Sequence, residues 1–409
     1  MKFFKQAIFF CLAAVLLCCI TACNSDMGGG FAKEIFEADS AQVLEGTGET
    51  GGPVNFISRV AAYDLSDPAH VVVRVKLENG FDSCKIDTKT VPAEQVKYAD
   101  GKLVIHSQFF QDSFTKHFNL KLTVIDGKKQ SASIPFIVAD KIIYSVTEFQ
   151  AINSKNTLGG YYVLANDLDF SGNQFTMIGC INDDGSDQTN YPFKGVFEGA
   201  GHTISNVTIS KPTPDADSGF KIGLFKTLGS GGIIRNLNVK NIRLTTGGGI
   251  AGGLVGINSG TVENCYADSY LQAGNYNEPS GGLVGFNVEG AVIQNSIAVT
   301  TINGMAFCGG NFGEITNCFA YARPESKLCE IGGKLHAGVE NPPYDEGFVV
   351  ENQFACDMFK GTTSGCELFA EESALKSSEK LSLLPKESWN VGAEGARLYK
   401  MFLPNYSAK

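Results

Sequence analysis

The chain has 409 residues, 33 of them Lys or Arg and 43 Asp or Glu, for a formal net charge of −10. That acidic balance argues against a nucleic-acid groove or a polybasic membrane patch, and the length exceeds a single typical core. Glycine is in excess at 47 residues, 22 of them between positions 223 and 333 with no period of three, so the glycines read as turns of an all-β protein.

The first segment reads as an address rather than as fold. Lys2 and Lys5 precede an apolar run from Ala7 to Ile20, too short to span a bilayer. The run ends in Ile20-Thr21-Ala22-Cys23, which resembles a bacterial lipobox. The resemblance implies removal of residues 1–22 and a diacylglycerol on the Cys23 sulfur; the alternative is an ordinary secretory peptide cut after Ala22. Residues 23–52, with Gly28, Gly29 and Gly30, read as a flexible tether. Ser25-Asp26 resembles the acidic export signal of surface lipoproteins in Bacteroidetes-like bacteria, which implies an outer-membrane location facing outward. Eight cysteines remain beyond Cys23, in a compartment that permits disulfides. Cys356 and Cys366, on either side of a glycine-containing loop, are the expected pair.

Residues 53–140 alternate and are rich in β-branched side chains. Val71 to Leu77 and Lys102 to His106 read as strands, and Asn119 to Ile125 meets Ser131 to Val138 through Asp126-Gly127, a hairpin signal. Short strands in this number suggest an immunoglobulin-like β-sandwich, although the Cys…Trp…Cys spacing is absent. A short helix is expected within 146–153, capped by Thr147.

From 141 to 360 the chain repeats. Gly-Leu or a degenerate form recurs at Gly223, Gly253, Gly282, Gly310 and Gly333. Each is followed by an apolar residue, one residue and Asn: Ile234-Arg235-Asn236, Val262-Glu263-Asn264, Ile293-Gln294-Asn295, Ile315-Thr316-Asn317 and Val350-Glu351-Asn352. Such a unit buries its apolar face only by stacking on its neighbours, and Asn suits a corner because it tolerates the left-handed conformation. The pattern therefore predicts a parallel β-helix. In it Cys265, Ser296 and Cys318 point inward, the two cysteines as free thiols, while Tyr266, Ile297, Phe319 and Phe354 form an outward column.

Ala251-Gly252-Gly253-Leu254-Val255-Gly256-Ile257-Asn258 and Ser280-Gly281-Gly282-Leu283-Val284-Gly285-Phe286-Asn287 resemble the GLUG motif of bacterial surface proteins. Ile143 to His202 is similar to the opening segment of those proteins, and Trp389-Asn390-Val391-Gly392 to their C-terminal end, which leaves 361–409 as a cap segment. The resemblance implies a surface β-helix of the kind found in adhesins and beside some peptidases, with no catalytic residues to transfer.

Few residues suggest chemistry. Asp183, Asp184 and Asp187, around Gly185, form an oxygen-rich loop that can hold calcium, but without the spacing of an EF-hand; no other cofactor is indicated. Asp167 and Asp169 share a strand face yet read as structural, and His106, His117, His202 and His336 show no metal spacing. The expected function is a non-enzymatic, lipid-anchored adhesin or glycan-binding protein whose partners are the membrane, through its anchor, and a glycan or host surface protein. The outward column, Tyr266, Ile297, Phe319 and Phe354, is the expected ligand site, since aromatic faces suit sugar rings. The alternative is a β-helix polysaccharide lyase or glycoside hydrolase, marked by acidic and basic side chains converging on one outward face of adjacent rungs.

Overall fold

A computed structural model describes residues 51–111, 114–179, 191–211, 221–273, 279–302, 304–324, 326, 361–392, 395–399 and 401. Cys23, the Asp183–Asp187 loop, Phe354 and Cys356 lie outside them.

The alternating residues of the first region form two sheets over one core. One has four antiparallel strands, with Val54–Phe56 and Lys102–Ile105 on either side of Val71–Leu77. The other has five and is built on the expected hairpin, His117–Asp126 against Ser131–Ala139 with Leu122 opposite Ile134. Inward residues of both sheets, Val73, Val75, Leu103, Leu122, Val124 and Phe136 among them, pack together. The Asp126 carboxylate accepts from the Lys128 and Gln130 amides and sets the hairpin turn, with Lys129 in the left-handed region.

No linker follows. The chain passes from Ser131–Ala139 straight into Lys141–Ile143, whose Ile142 amide donates to the buried Asp64 carboxylate of the first region. The short helix is Val146–Gln150, and its cap is Ser145 rather than Thr147. Ser145 Oγ accepts from the Glu148 amide while the Glu148 carboxylate reaches back to the amide of Tyr144, the residue before the cap, a variant of the capping box.

Beyond the helix the chain winds into β-helix-like coils, and successive coils pair in parallel. The first flank is an eight-stranded sheet that runs from Lys141–Ile143 through Val196–Glu198, Ile233–Arg235, Thr261–Glu263, Val292–Gln294 and Glu314–Thr316 to Thr362–Ser364. The second carries Asn238–Thr246, Tyr266–Ala273, Ile297–Ile302, Phe319–Ala322 and Glu367–Phe369. The third holds Phe225–Leu228, Val255–Asn258, Val284–Asn287 and Cys308–Asn311. Leu224, Ile234, Leu254, Val262, Leu283 and Ile293 share one continuous core, so each coil supplies apolar surface to the next.

Asn236, Asn264, Asn295 and Asn317 turn from the first flank to the second with φ of 51–52°, as the repeat predicts. The glycines divide into two kinds. Gly231 and Gly290 are turns with φ of 79°. By contrast, a Cβ on Gly252 would strike the Val255 carbonyl, one on Gly281 the Val284 carbonyl, and one on Gly256 the Lys226 carbonyl. The Gly-Leu-Val-Gly repeats are thus close-approach positions rather than corners.

The last coil differs from the sequence expectation. The strand paired on Glu314–Thr316 is Thr362–Ser364, not the segment around Val350-Glu351-Asn352, and its corner is Gly365, at φ 64°. The stack therefore runs to Phe369, past the expected limit at 360. From there the chain doubles back along the second flank through Ala374–Ser377, Glu379–Leu383 and the hairpin Trp389–Gly392 with Gly395–Leu398. It reaches the first region and an early coil: Met401 O accepts from the Arg59 and Val60 amides, and Met401 N donates to Ala200 O. This returning segment is a strap lying along the coils.

Candidate functional site

The column chosen from the sequence is in register, with Tyr266, Ile297 and Phe319 side by side on adjacent strands and pointing out of the coils. It is not available to a ligand. Leu381, Leu384, Trp389 and Leu398 of the strap cover it together with Phe369, leaving Ile297 and Phe319 buried and only Tyr266 partly exposed. The Phe319 and Phe369 rings stack at 5.7 Å. An apolar column here serves as the seat of the strap. The next place in the column, assigned to Phe354 from the sequence, is taken by Glu367, the register partner of Phe319.

Acidic and basic side chains do converge on one outward face, the feature that would mark an enzyme. Glu198, Arg235 and Glu263 occupy equivalent positions on three successive strands of the first flank. Arg235 Nε lies 2.6 Å from Glu198 Oε2, its Nη1 lies 3.8 Å from Glu263, and Gln294 Nε2 donates to Glu263 at 2.8 Å. The Glu198 side chain is only 1% exposed and also accepts from the Ala200 amide and the Asn236 side chain. Phe118 of the first region closes over the guanidinium and accepts from Nη2 at 3.4 Å. With its oxygens taken and its carboxylate sealed, the cluster cements the first region to the coils.

An outward apolar ridge that stays half-exposed lies on the third flank. Ile257 and Phe286 are register partners, and Val288 and Phe312 are half-exposed beside them. The residue level with Phe286 on the following coil is Gly310. No side chain stands there, and the Phe312 ring lies 5.3 Å from that of Phe286 at 42°. Beneath the ridge runs a buried ladder: Asn258 Nδ2 donates to Asn287 Oδ1, and Asn287 Nδ2 to Asn311 Oδ1, each at 2.8 Å. The ladder fixes the spacing of the ridge, because each amide has its partner one coil away. The position after Gly-Leu-Val-Gly carries this ridge. Its signal, Ile then Phe between Gly and a buried Asn, is visible in the repeats.

The other candidates have structural roles. Asp167 accepts from the Thr203 amide and meets His202 Nδ1 at 3.2 Å, while Asp169 accepts from Ser171 N and Asn206 Nδ2. The Asn206 and Ser171 donors hold the Asp169 carboxyl below its usual range. His202 is buried. His106 packs against His70 at 4.3 Å, and burial together with His106 lowers the His70 imidazole below its ordinary value. Cys265, Ser296 and Cys318 are all buried and inward, as the alternation predicts. Burial pushes the Cys84 and Cys308 thiols up to about 12. Among the described residues no three His, Cys, Asp or Glu side chains gather as metal ligands, and no helix is long and apolar enough to cross a membrane.

No family profile matches the chain. A stretch of 183 residues, 42% of the chain, is 35% identical to halomucin of Haloquadratum walsbyi (strain DSM 16790 / HBSQ001) but spans only 2% of that protein's length. Among solved structures, one described as a "putative immunoglobulin A1 protease" from Bacteroides ovatus aligns over 64% of this chain and 92% of its own, at 18% identity and a TM-score of 0.33.

Proposed function

We propose that the protein is a lipid-anchored cell-surface protein that binds glycan without cleaving it, through the half-exposed ridge Ile257–Phe286–Phe312. In this reading the two-sheet region is an immunoglobulin-like spacer, the coils are a GLUG β-helix, and Cys23 holds the chain to the outer membrane. The observation that carries it is a row of apolar and aromatic side chains backed by a rigid asparagine ladder. Sugar rings stack their C–H faces on aromatic faces, and the coil spacing of about 4.8 Å is close to the rise of one saccharide unit. The likeness to halomucin is in keeping with a cell-surface placement. A hydrolase or lyase reading is not favoured, because the convergent Glu198–Arg235–Glu263 cluster is closed to substrate.

Two measurements test the reading. Mass spectrometry of the N-terminal peptide from the native host is expected to show Cys23 as the first residue, carrying acyl chains; an unmodified terminus, or cleavage elsewhere, removes the anchor. A screen of immobilised glycans with the chain from residue 24 onward is expected to find a bound polymer that is recovered intact. The Phe286→Ser/Phe312→Ser variant, folded by its thermal transition, should then bind at least about tenfold more weakly, or about 1.4 kcal/mol. Undiminished binding excludes the ridge, and shortened glycan excludes the non-enzymatic reading.

A further inference from the structure

The corner of the last coil has a chemical peculiarity independent of glycan binding. Asn317-Cys318 and Gly365-Cys366 occupy the same place in successive coils, since Thr316 is level with Ser364 and Phe319 with Glu367. Cys318 and Cys366 are therefore neighbours across one strand spacing of about 4.8 Å, within the Cα separation of roughly 4.4–6.8 Å that a disulfide bridges. Both sulfurs sit alike over the preceding turn, Cys318 Sγ 3.2 Å from Thr316 O and Cys366 Sγ 3.3 Å from Ser364 O. The two thiols are close enough to shift each other's titration. Cys265 has no such partner, because Ser296 stands on the coil between it and Cys318 and its Oγ accepts from the Cys265 amide.

We propose that Cys318 and Cys366, both thiols in this structure, are a site of oxidative cross-linking that ties the last coil to the one beneath it. The two sulfurs are unequal in the way the reaction requires. Cys318 is fully buried, and burial and its neighbour hold its thiol well above the usual range. Cys366 is half-exposed, and its neighbour Cys318 outweighs burial to bring its thiol below the usual range, which favours the nucleophilic thiolate. The oxidant is a small-molecule or protein disulfide, R–S–S–R. The Cys366 thiolate attacks one of its sulfurs, forming a mixed disulfide and releasing R–S⁻, which takes up a proton. The Cys318 sulfur then attacks the Cys366 sulfur, and its proton passes to the second R–S⁻ as that group is expelled as a thiol. Two chain thiols become one disulfide, and one external disulfide becomes two thiols.

The cross-link closes a covalent loop over residues 318–366, and so holds the coil from which the strap departs. It gives Cys366 a different partner from the Cys356 expected from spacing alone, and makes Cys318 a free thiol only in the reduced chain.

The test uses the whole mature chain, incubated with glutathione disulfide, alkylated and digested without reductant. The expected result is a linked pair of peptides containing Cys318 and Cys366, lighter by two hydrogens than the reduced pair. The thermal transition should fall by several degrees on reduction, in wild type and in Cys265→Ser but not in Cys318→Ser or Cys366→Ser. Alkylation of both cysteines after incubation, or a peptide joining Cys366 to Cys356, would overturn the proposal. Peptide mapping of the wild-type chain decides it even if a serine variant does not fold.

Discussion

Asn295 shows how one side chain satisfies two demands at a corner. Its backbone sits at φ 52°, where most L-residues are strained, and its Oδ1 accepts from Asn317 Nδ2 at 3.2 Å on the next coil. The two demands separate by substitution. Asn295→Gly loses the side-chain bond but takes the conformation freely, whereas Asn295→Ala loses the bond and pays about 1–2 kcal/mol for the left-handed backbone. Denaturant titration should place the Ala variant below the Gly variant by about 1 kcal/mol; equal stabilities would mean that corner strain is not why Asn stands there. These corners were legible in the sequence because conformational preference is a property of the residue itself. The role of the motif glycines was not, since what excludes a Cβ at Gly252 or Gly281 is a carbonyl folded back over the position, and a glycine needed for space has the same letter as one needed for a turn. The cap of Val146–Gln150 is a similar case. Ser145 and Glu148 have capping-box spacing, but Thr147 lies between them and competes for the same reading.

At the scale of elements, alternation in the sequence carries which way a strand residue faces but not what covers it. The alternation after each corner Asn puts Cys265 and Cys318 inward and Ile297 and Phe319 outward, as observed. Whether an outward residue meets water depends on chain far away in sequence, here residues 381–398. An apolar outward column is evidence that something binds there, and the binder can belong to the same chain. The same rule says what the strap needs. Trp389 is 2% exposed and packs with the Ile297–Phe319 column, so Trp389→Ala should cost about 3–5 kcal/mol. Limited proteolysis should then cut the strap between Ala370 and Leu398 before any coil is attacked. A variant as stable and as resistant as wild type would show that the strap only lies against the column without depending on it.

For the whole molecule, the two-region organisation was legible because strand alternation and a coil-length repeat are different periodicities that abut near residue 140. What joins the regions was not legible. It rests on Arg235 beneath Phe118, Asp64 under the Ile142 amide, and Met401 between Arg59, Val60 and Ala200, contacts between distant parts of the chain. The strap that begins after Phe369 and reaches Met401 also has a consequence for how this protein can change. Most stacked-repeat proteins lengthen by duplicating a unit, since each unit touches only its neighbours. Here each added coil would move the two attachment points of the strap apart by about 4.8 Å, the length of between one and two extended residues. Either the strap lengthens in step, or Trp389 leaves its seat or Met401 leaves Ala200. The strap thus works as a measuring tape: coil number can vary only together with the length of a segment outside the repeats, and a gain or loss of repeats in descendants of this chain should be accompanied by a matched insertion or deletion between 370 and 401.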